Sequence, residues 1–162
     1  MLVPITGREK DIDTKNPIGA MAEFYHAFNA RSFQLLELNW IGDGEVSMES
    51  GVGGIERGWS AIARIYDLAI RGKRIVTLEL HDYSFDPIGE TFLAIGAEHG
   101  RLTSPEGDLD FVILISRWFT KAYGRWRQVH YHGSIDDAAT LARFQSLMGA
   151  GAVKDLLSPS SA

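Results

Sequence analysis

The chain has 162 residues, a length that suits one domain, and its 45% hydrophobic and 23% charged residues are ordinary for a globular protein. It has no cysteine, which excludes disulfide and thiolate chemistry, and its net charge of -5 argues against general nucleic-acid binding. No stretch approaches the ~20 apolar residues of a membrane span. The N-terminus also lacks the basic start and apolar run of a secretory signal. We therefore expect a cytoplasmic protein without nucleic-acid or membrane partners.

The first half of the chain carries helical patterns. Residues 1–15 mix proline, glycine and charges, and are expected to form a loose N-terminal arm. Asn16 followed by Pro17 is typical of a helix start. Apolar residues at helical spacing follow, and glycines separate the later elements. The predicted elements are helices over 17–30 and 33–40, a short strand over 45–49, a glycine-rich loop over 50–58 and a helix from 59 to about 71.

The second half consists mainly of strands. Runs rich in β-branched and aromatic residues, separated by proline and glycine turns, predict four long antiparallel strands. These strands are expected over 75–85, 91–102, 109–121 and 125–135. Asp136 can cap a closing helix that runs to about Met148, and residues 151–162 are expected to form a frayed tail. Residues 16–150 are thus predicted to make a single domain.

This order of elements predicts an α+β fold. Helices segregated to one face of an antiparallel sheet give such a fold, and the alternating strands need one face covered. We expect a cone-shaped, curved antiparallel sheet wrapped round three helices, with a closing C-terminal helix. A curled sheet of this kind encloses a pocket.

His130 and His132 stand two residues apart on the last predicted strand. Side chains at this spacing share a face, so the pair could hold a metal if an Asp or Glu from elsewhere in the chain, or His81 or His99, supplied a third ligand. The alternative is a packed, hydrogen-bonded pair at a sheet face or an interface. We favour the alternative and predict neither a metal nor an organic cofactor.

Arg117 interrupts an apolar strand, where it shares a face with Ile113 and Ile115. An arginine on such a face is costly unless its charge is paired. Two interpretations remain open. The guanidinium binds a carboxylate ligand in a bidentate manner, or it forms an internal ion pair with Glu49, Glu79 or Glu98.

From Pro17 to Ser134, the element order resembles the nuclear transport factor 2-like superfamily, which ketosteroid isomerases and SnoaL-like polyketide cyclases share. The run Gly124-Arg125-Trp126-Arg127-Gln128-Val129-His130-Tyr131-His132-Gly133-Ser134 resembles the last strand of the calcium/calmodulin-dependent kinase II association domain. Ser116-Arg117-Trp118 resembles the preceding strand of that domain, in which an arginine faces the cavity.

The resemblance implies roles for particular residues. Tyr25 falls where ketosteroid isomerases place the tyrosine that hydrogen-bonds the substrate oxyanion, and Glu49 falls where they place the carboxylate base. Ile115 occupies the position of their second oxyanion donor, a protonated aspartate, so that donor is missing. Arg117 places a cation on the same face. The predicted site therefore has Tyr25, Glu49 and Arg117 as catalytic residues and Trp40, Ile115 and Tyr131 as ligand-binding residues.

Two functions follow as hypotheses. The first is a small-molecule pocket protein that acts as a cofactor-independent isomerase, cyclase or lyase on a small apolar or anionic carbonyl compound. The second is a non-catalytic ligand-binding or oligomerisation module that resembles the association domain.

The register of the last strand decides where the two histidines lie. If Val129, Tyr131 and Gly133 point into the cone, His130 and His132 lie on the convex face, where the resemblance implies a homodimer interface. A bulge in the strand would reverse this assignment.

Overall fold

The protein is a curved six-stranded sheet that carries four helices, as seen in a computed structural model that describes residues 1–42 and 44–149. The helices are α1 (Pro17–Asn29), α2 (Phe33–Asn39), α3 (Trp59–Ile70) and α4 (Ala138–Met148). The strands are β1 (Ser47–Glu49), β2 (Glu56–Arg57), β3 (Ile75–Ile88), β4 (Thr91–Ser104), β5 (Gly107–Ala122) and β6 (Arg125–Ser134). No helix in the described part of the chain has the length and apolarity needed to cross a membrane.

The sheet has the strand order β2-β1-β6-β5-β4-β3. Strands β3 to β6 form an antiparallel meander, whereas the short β1 runs parallel to β6. Helix α1 packs against β3 and β6, α3 packs against β1 and β3, and α4 packs against β5. The α+β fold predicted from the order of elements is confirmed.

Local sequence signals place most helix ends. The Asn16 side chain accepts a hydrogen bond from the Gly19 N–H at 2.7 Å, as expected of a cap residue before proline. Ser32 caps α2 in the same way. The cap of α4 is Asp137, one residue after the expected Asp136, and its carboxylate accepts from the Thr140 N–H at 2.8 Å.

The N-terminal segment, expected to be a loose arm, is attached to the sheet. Ile5 is 2% exposed and exchanges two backbone hydrogen bonds with Leu80 of β3, at 3.0 and 2.8 Å. The Tyr83 hydroxyl donates to the Val3 carbonyl at 2.9 Å, and the Trp126 N–H donates to the Thr14 carbonyl at 3.0 Å. The segment therefore contributes to the edge of the sheet. The predicted frayed tail, residues 151–162, lies outside the described residues.

A β-bulge at Val129 changes the register of β6. Trp118 of β5 pairs with His130, but the next residue, Phe119, pairs with Gln128, so Val129 is an extra residue in the strand. Gln128 is fully buried as a result. The expectation that Val129 points into the cone is wrong, because Gln128 takes that place.

The bulge precedes the histidines and leaves their faces unchanged. Tyr131 is 6% exposed and points inward, as does Gly133. His130 and His132 point to the outer face of the sheet, where they contact Ser47 and Glu49 of β1.

The attachment of residues 1–15 can be tested by truncating Ile5. The Ile5→Ala substitution should lower the free energy of unfolding by about 2–5 kcal/mol, because it leaves a cavity beneath β3. Urea unfolding followed by tryptophan fluorescence measures the change. The control is Val3→Ala, since Val3 is 78% exposed and should shift the unfolding free energy by less than about 0.5 kcal/mol. Equally small changes in both variants would mean that the segment is loose in solution.

Candidate functional site

Arg117 of β5 lies at the centre of the candidate site. Alternate residues of β5 face the helices, so Arg117 follows Ile113 and Ile115 on the inner face. Its side chain is 2% exposed. The rings of Phe24 and Tyr131 lie 3.8 and 4.0 Å from the guanidinium carbon. These distances are short enough for cation–π attraction, which helps to stabilise the cation in an apolar setting.

Glu98 of β4 balances the charge of Arg117. Its Oε1 accepts from Arg117 Nη2 at 2.7 Å and Nε at 3.3 Å, and from the Tyr25 hydroxyl at 2.8 Å. Of the two interpretations that the sequence left open, the internal ion pair with Glu98 is present. Burial opposes the Arg117 cation, but the Glu98 carboxylate raises its pKa above the ordinary value, so Arg117 stays charged.

The second carboxylate oxygen of Glu98 is different. Oε2 is buried and has no hydrogen-bond partner among the described residues. Leaving a buried polar atom unpaired costs about 1–3 kcal/mol. Glu98 also belongs to the wall of the cavity described below, so this oxygen is a candidate for contact with a ligand.

Arg117 is also held from the opposite strand, β6. Its Nη1 donates to Gln128 Oε1 at 2.6 Å, and Gln128 Nε2 donates to Asn39 Oδ1 at 3.1 Å. Asn39 Nδ2 in turn donates to the Ala20 carbonyl and to Glu23 Oε1, both at 3.0 Å. The network connects β5, β6, α1 and α2, and so fixes the guanidinium in one position.

Three buried tyrosines surround the ion pair and keep their protons. Burial raises the pKa of Tyr25 and of Tyr131 well above the ordinary value, and the nearby Glu98 carboxylate raises both further. Burial also raises the pKa of Tyr66 to about 12, although a hydrogen bond from Trp40 Nε1 acts in the other direction. All three hydroxyls are therefore protonated donors at neutral pH.

A cavity of about 70 Å³ lies beside this cluster. Its wall is mostly apolar, but Glu98, Arg117, Tyr66 and Tyr131 also contribute to it. Helix α4 covers part of the cavity with Phe144 and Met148. Apolar residues of the other elements that line it include Phe24, Phe28, Met48, Ile65, Phe111 and Ile113.

Helix α4 is fixed over the cavity by polar contacts at two places. Arg74 Nε donates to the Leu147 carbonyl at 2.7 Å, and Gln145 Nε2 donates to the Gly51 carbonyl at 3.2 Å. The Phe144 ring also packs edge-on against Phe111 of β5, with 4.9 Å between the ring centroids.

Of the three predicted catalytic residues, Tyr25 and Arg117 meet at Glu98, but Glu49 does not join them. On β1 it is Met48 that lines the cavity, so the next residue, Glu49, points to the opposite face of the sheet. Its side chain is 39% exposed, and its Oε2 lies 3.0 Å from His132 Nδ1. Glu49 therefore lacks the hydrogen-bonding reach that a base for a ligand in this cavity needs.

The three predicted ligand-binding residues also differ in position. Tyr131 lines the cavity. Trp40 is fully buried behind it, and its indole Nε1 donates to the Tyr66 hydroxyl at 3.0 Å. Ile115 lies in the core between its strand partners Gly96 and Gly133 and is not part of the cavity wall.

The histidines considered as metal ligands do not converge. The His130 Nδ1 lies 2.8 Å from Ser47 Oγ on the outer face. His81 and His99 instead stack on each other, with 4.1 Å between their ring centroids. Within residues 1–42 and 44–149, no group of three or more His, Asp or Glu side chains is arranged to hold a metal ion.

Three polar residues were not among the predicted site residues, although Glu98 was one of the three candidate ion-pair partners of Arg117. Glu98 carried a usable signal, because it follows Phe92, Ala94 and Gly96 on the inner face of β4, as Arg117 follows apolar residues on β5. Gln128 carried no such signal, since only the bulge turns it inward. Tyr66 fitted the apolar stripe of α3, and its hydroxyl contacts depend on the packing of α3 against Trp40.

Comparisons with known structures agree with the observed fold. A proposed dehydratase of the NTF2-like family from Streptomyces avermitilis superimposes with a TM-score of 0.67 at 20% identity, covering 74% of this chain and 92% of its own. The CaMKII hub of S. rosetta gives 0.62 at 16% identity, with coverage of 78% and 99%. A proposed ketosteroid isomerase from Shewanella frigidimarina gives 0.60 at 15% identity, with coverage of 76% and 97%. At these identities the likeness shows the fold alone.

The sequence comparison defines the family. No curated protein matches the chain. The family model for the SnoaL-like domain, however, matches residues 19–138, which extend from the start of α1 to the start of α4. The chain therefore belongs to the SnoaL-like domain family.

Proposed function

We propose that this SnoaL-like protein binds a small carbonyl compound in the cavity and catalyses proton transfer on it, as an isomerase, cyclase or lyase. The observation that carries the proposal is the unpaired Oε2 of Glu98, a buried carboxylate oxygen in the wall of a mostly apolar cavity. Of the buried side-chain atoms that have no partner among the described residues, Glu98 Oε2 and Ser50 Oγ belong to residues that line this cavity, and a catalytic role is one reason why such an atom is retained.

The surrounding residues suit Glu98 to this role. Arg117 and Tyr25 bind Oε1, which fixes the carboxylate and leaves Oε2 as its free oxygen. A proton acceptor within hydrogen-bond reach of the substrate contributes typically 10²- to 10⁴-fold to rate. Glu98 thus takes the role that the family resemblance implied for Glu49.

The chemical step is a proton transfer. Glu98 Oε2 takes a proton from the carbon next to the carbonyl group, and the electron pair of that C–H bond moves onto the carbonyl oxygen to give an enolate. Return of the proton to a different carbon completes an isomerisation. Expulsion of a leaving group from the neighbouring carbon completes a lyase reaction, and attack of the enolate carbon on a second carbonyl completes a cyclisation.

The volume of the cavity and the charges in its wall limit which class of ligand fits. The cavity has about half the volume of the ~150 Å³ cavity that holds benzene in a well-studied case, so it suits a compact molecule. Glu98 already balances the Arg117 charge, so an anionic ligand would meet an unpaired carboxylate oxygen rather than a free cation. A neutral carbonyl compound therefore fits better than an anionic one.

Hydrogen exchange of a compact ketone tests this proposal without knowledge of the natural substrate. Cyclobutanone dissolved in D₂O with the protein should lose its α-proton NMR signals faster than in buffer alone, because Glu98 abstracts these protons. The Glu98→Gln substitution should remove the acceleration. Since that variant leaves Arg117 unpaired and is expected to lose about 3–5 kcal/mol of stability, the double variant Glu98→Gln/Arg117→Met serves as a second test.

The matched control for the exchange experiment is Glu49→Gln. Glu49 lies on the outer face, so this variant should exchange α-protons at the wild-type rate. Exchange that is no faster than in buffer would count against proton transfer in the cavity. Loss of exchange in Glu49→Gln would mean that the base is on the outer face.

A second candidate function, an assembly module, is favoured by the outer face of the sheet. Ile95, Val112 and Leu114 lie there on β4 and β5 with 47%, 42% and 45% of their surface exposed. An exposed apolar patch of this kind is typical of a protein–protein interface. We propose that two copies of the chain pair through this face, with His130 and His132 beside the apolar patch.

Light scattering at tens of micromolar protein should give the mass of a dimer. The Leu114→Glu substitution should shift the mass to that of a monomer, because it places a charge in the middle of the patch. Ile88→Glu is the matched control, since Ile88 is 50% exposed at the end of β3, away from the patch, and this variant should stay dimeric. A monomeric wild-type protein would contradict the assembly proposal and leave the pocket proposal unaffected.

A further inference from the structure

We infer that Tyr66 is the hydrogen-bond donor to the ligand's carbonyl oxygen and that, with Glu98 as the acceptor, it makes the cavity selective for compact neutral carbonyl compounds. The inference rests on the proposed small-molecule function of the cavity. It assigns the donor role to a residue of α3 rather than to Tyr25 of α1, where the family resemblance places it.

The Tyr66 hydroxyl accepts a hydrogen bond from Trp40, and the described residues offer no acceptor for its own proton. A phenolic oxygen accepts through its lone pairs and donates one proton. The Tyr66 oxygen accepts from Trp40 Nε1 at 3.0 Å, and the nearby Arg117 cation lowers the pKa of Tyr66. Among the described residues, no acceptor is present for the proton of Tyr66 itself. Because Tyr66 lines the cavity, that proton is available to a ligand.

The groups around the Tyr66 oxygen also affect how strongly its O–H donates a hydrogen bond. The charge of Arg117 and the hydrogen bond from Trp40 stabilise the phenolate form and lower the pKa of Tyr66. Chains of hydrogen bonds polarise one another in a low-dielectric interior, so the remaining O–H becomes a better donor. Burial nevertheless raises the pKa of Tyr66 to about 12, so the hydroxyl keeps its proton throughout the neutral range.

The other two tyrosines are less suited to this role. The Tyr25 hydroxyl donates to Glu98 Oε1 at 2.8 Å, and Tyr25 does not belong to the cavity wall. Tyr131 lines the cavity, but its hydroxyl lies against the Gly133 backbone, where a Cβ would come within 2.2 Å of the Tyr131 oxygen. Its ring also covers the Arg117 guanidinium. Tyr66 is thus the tyrosine of the cavity wall whose oxygen is held by a hydrogen bond within the described part of the chain, which leaves its proton for a ligand.

Together, Tyr66 and Glu98 define the chemistry of the ligand. The mostly apolar cavity offers the Tyr66 O–H as a donor and Glu98 Oε2 as an acceptor, and its wall also carries the Ser50 hydroxyl, which is buried without a partner among the described residues. A carbonyl compound matches both, because its oxygen accepts from Tyr66 and its acidic α-C–H faces Glu98. A hydrogen bond to the carbonyl oxygen also strengthens as negative charge develops there during proton transfer.

The experiment measures the carbonyl carbon of bound cyclobutanone. The ketone is labelled with ¹³C at the carbonyl position, and NMR titration gives the chemical shift of the bound state. Hydrogen-bond donation to the oxygen moves this resonance downfield. We expect a downfield bound shift in the wild-type protein and loss of most of that shift in Tyr66→Phe. Tyr83→Phe is the matched control, since it removes a tyrosine hydroxyl that donates to Val3 away from the cavity and should keep the shift.

A second substitution keeps the inference testable if Tyr66→Phe does not fold, because that variant leaves Trp40 Nε1 without an acceptor. Replacing Tyr66 by 3-fluorotyrosine retains the hydroxyl and makes it a stronger acid, so the bound carbonyl should move further downfield. No response to the fluorine substituent, or loss of the shift in Tyr131→Phe with retention in Tyr66→Phe, would overturn the inference.

The outcome separates this inference from the proposed function. If the ketone binds and exchanges its α-protons but its carbonyl shift does not depend on Tyr66, the donor assignment is wrong and the pocket proposal stands. If the shift depends on Tyr66 but no exchange occurs, the donor assignment is supported and proton transfer is not. If the ketone does not bind at all, both are overturned.

Discussion

The ion pair between Arg117 and Glu98 is the constraint on which the rest of the site depends. Both side chains are almost completely buried, so neither charge is stable there without the other. The pair connects β4 with β5, and through Tyr25 and Gln128 it connects both strands with α1 and β6. The contacts that hold the strands and α1 together therefore also fix where the polar groups lie at the cavity.

The same pairing decides what the cavity offers to a molecule inside it. A lone arginine would have given a cationic pocket for acids, as one interpretation of the sequence held. With Glu98 beside it, the guanidinium instead orients a carboxylate, and the polar wall carries the open oxygen of Glu98 and the protonated hydroxyls of Tyr66 and Tyr131. The pairing thus favours the proposed exchange of protons over the binding of anions, although the cation itself is unchanged.

The fold could be predicted from sequence because it depends on local signals: caps at Asn16 and Ser32, long alternating strands, and glycine at the turns. The site was predicted only in part. Tyr25 and Arg117 stood out as polar groups on apolar faces, and the structure brings them together. Glu49 does not join them, because Met48 takes the inward position on β1. The sequence could not show this, since three residues are too few for alternation to indicate which one faces inward. The attachment of Ile5 depends on a bridge to distant Leu80, which no local pattern reveals.

The bulge at Val129 has a consequence for the way residue roles are transferred between SnoaL-like proteins. A sequence alignment takes no account of strand register. If an unbulged strand of another protein is aligned with β6 without a gap, the inward and outward positions correspond only from His130 to the C-terminal end of the strand. For the residues before His130, each inward-facing residue of β6 would be aligned with an outward-facing residue of the other protein. Gln128, which holds Arg117, would then be mistaken for a surface residue, and its counterpart in the other protein would be assigned a contact that it does not make. For this family, the position of the bulge has to be established before any role in the last strand is copied from one member to another.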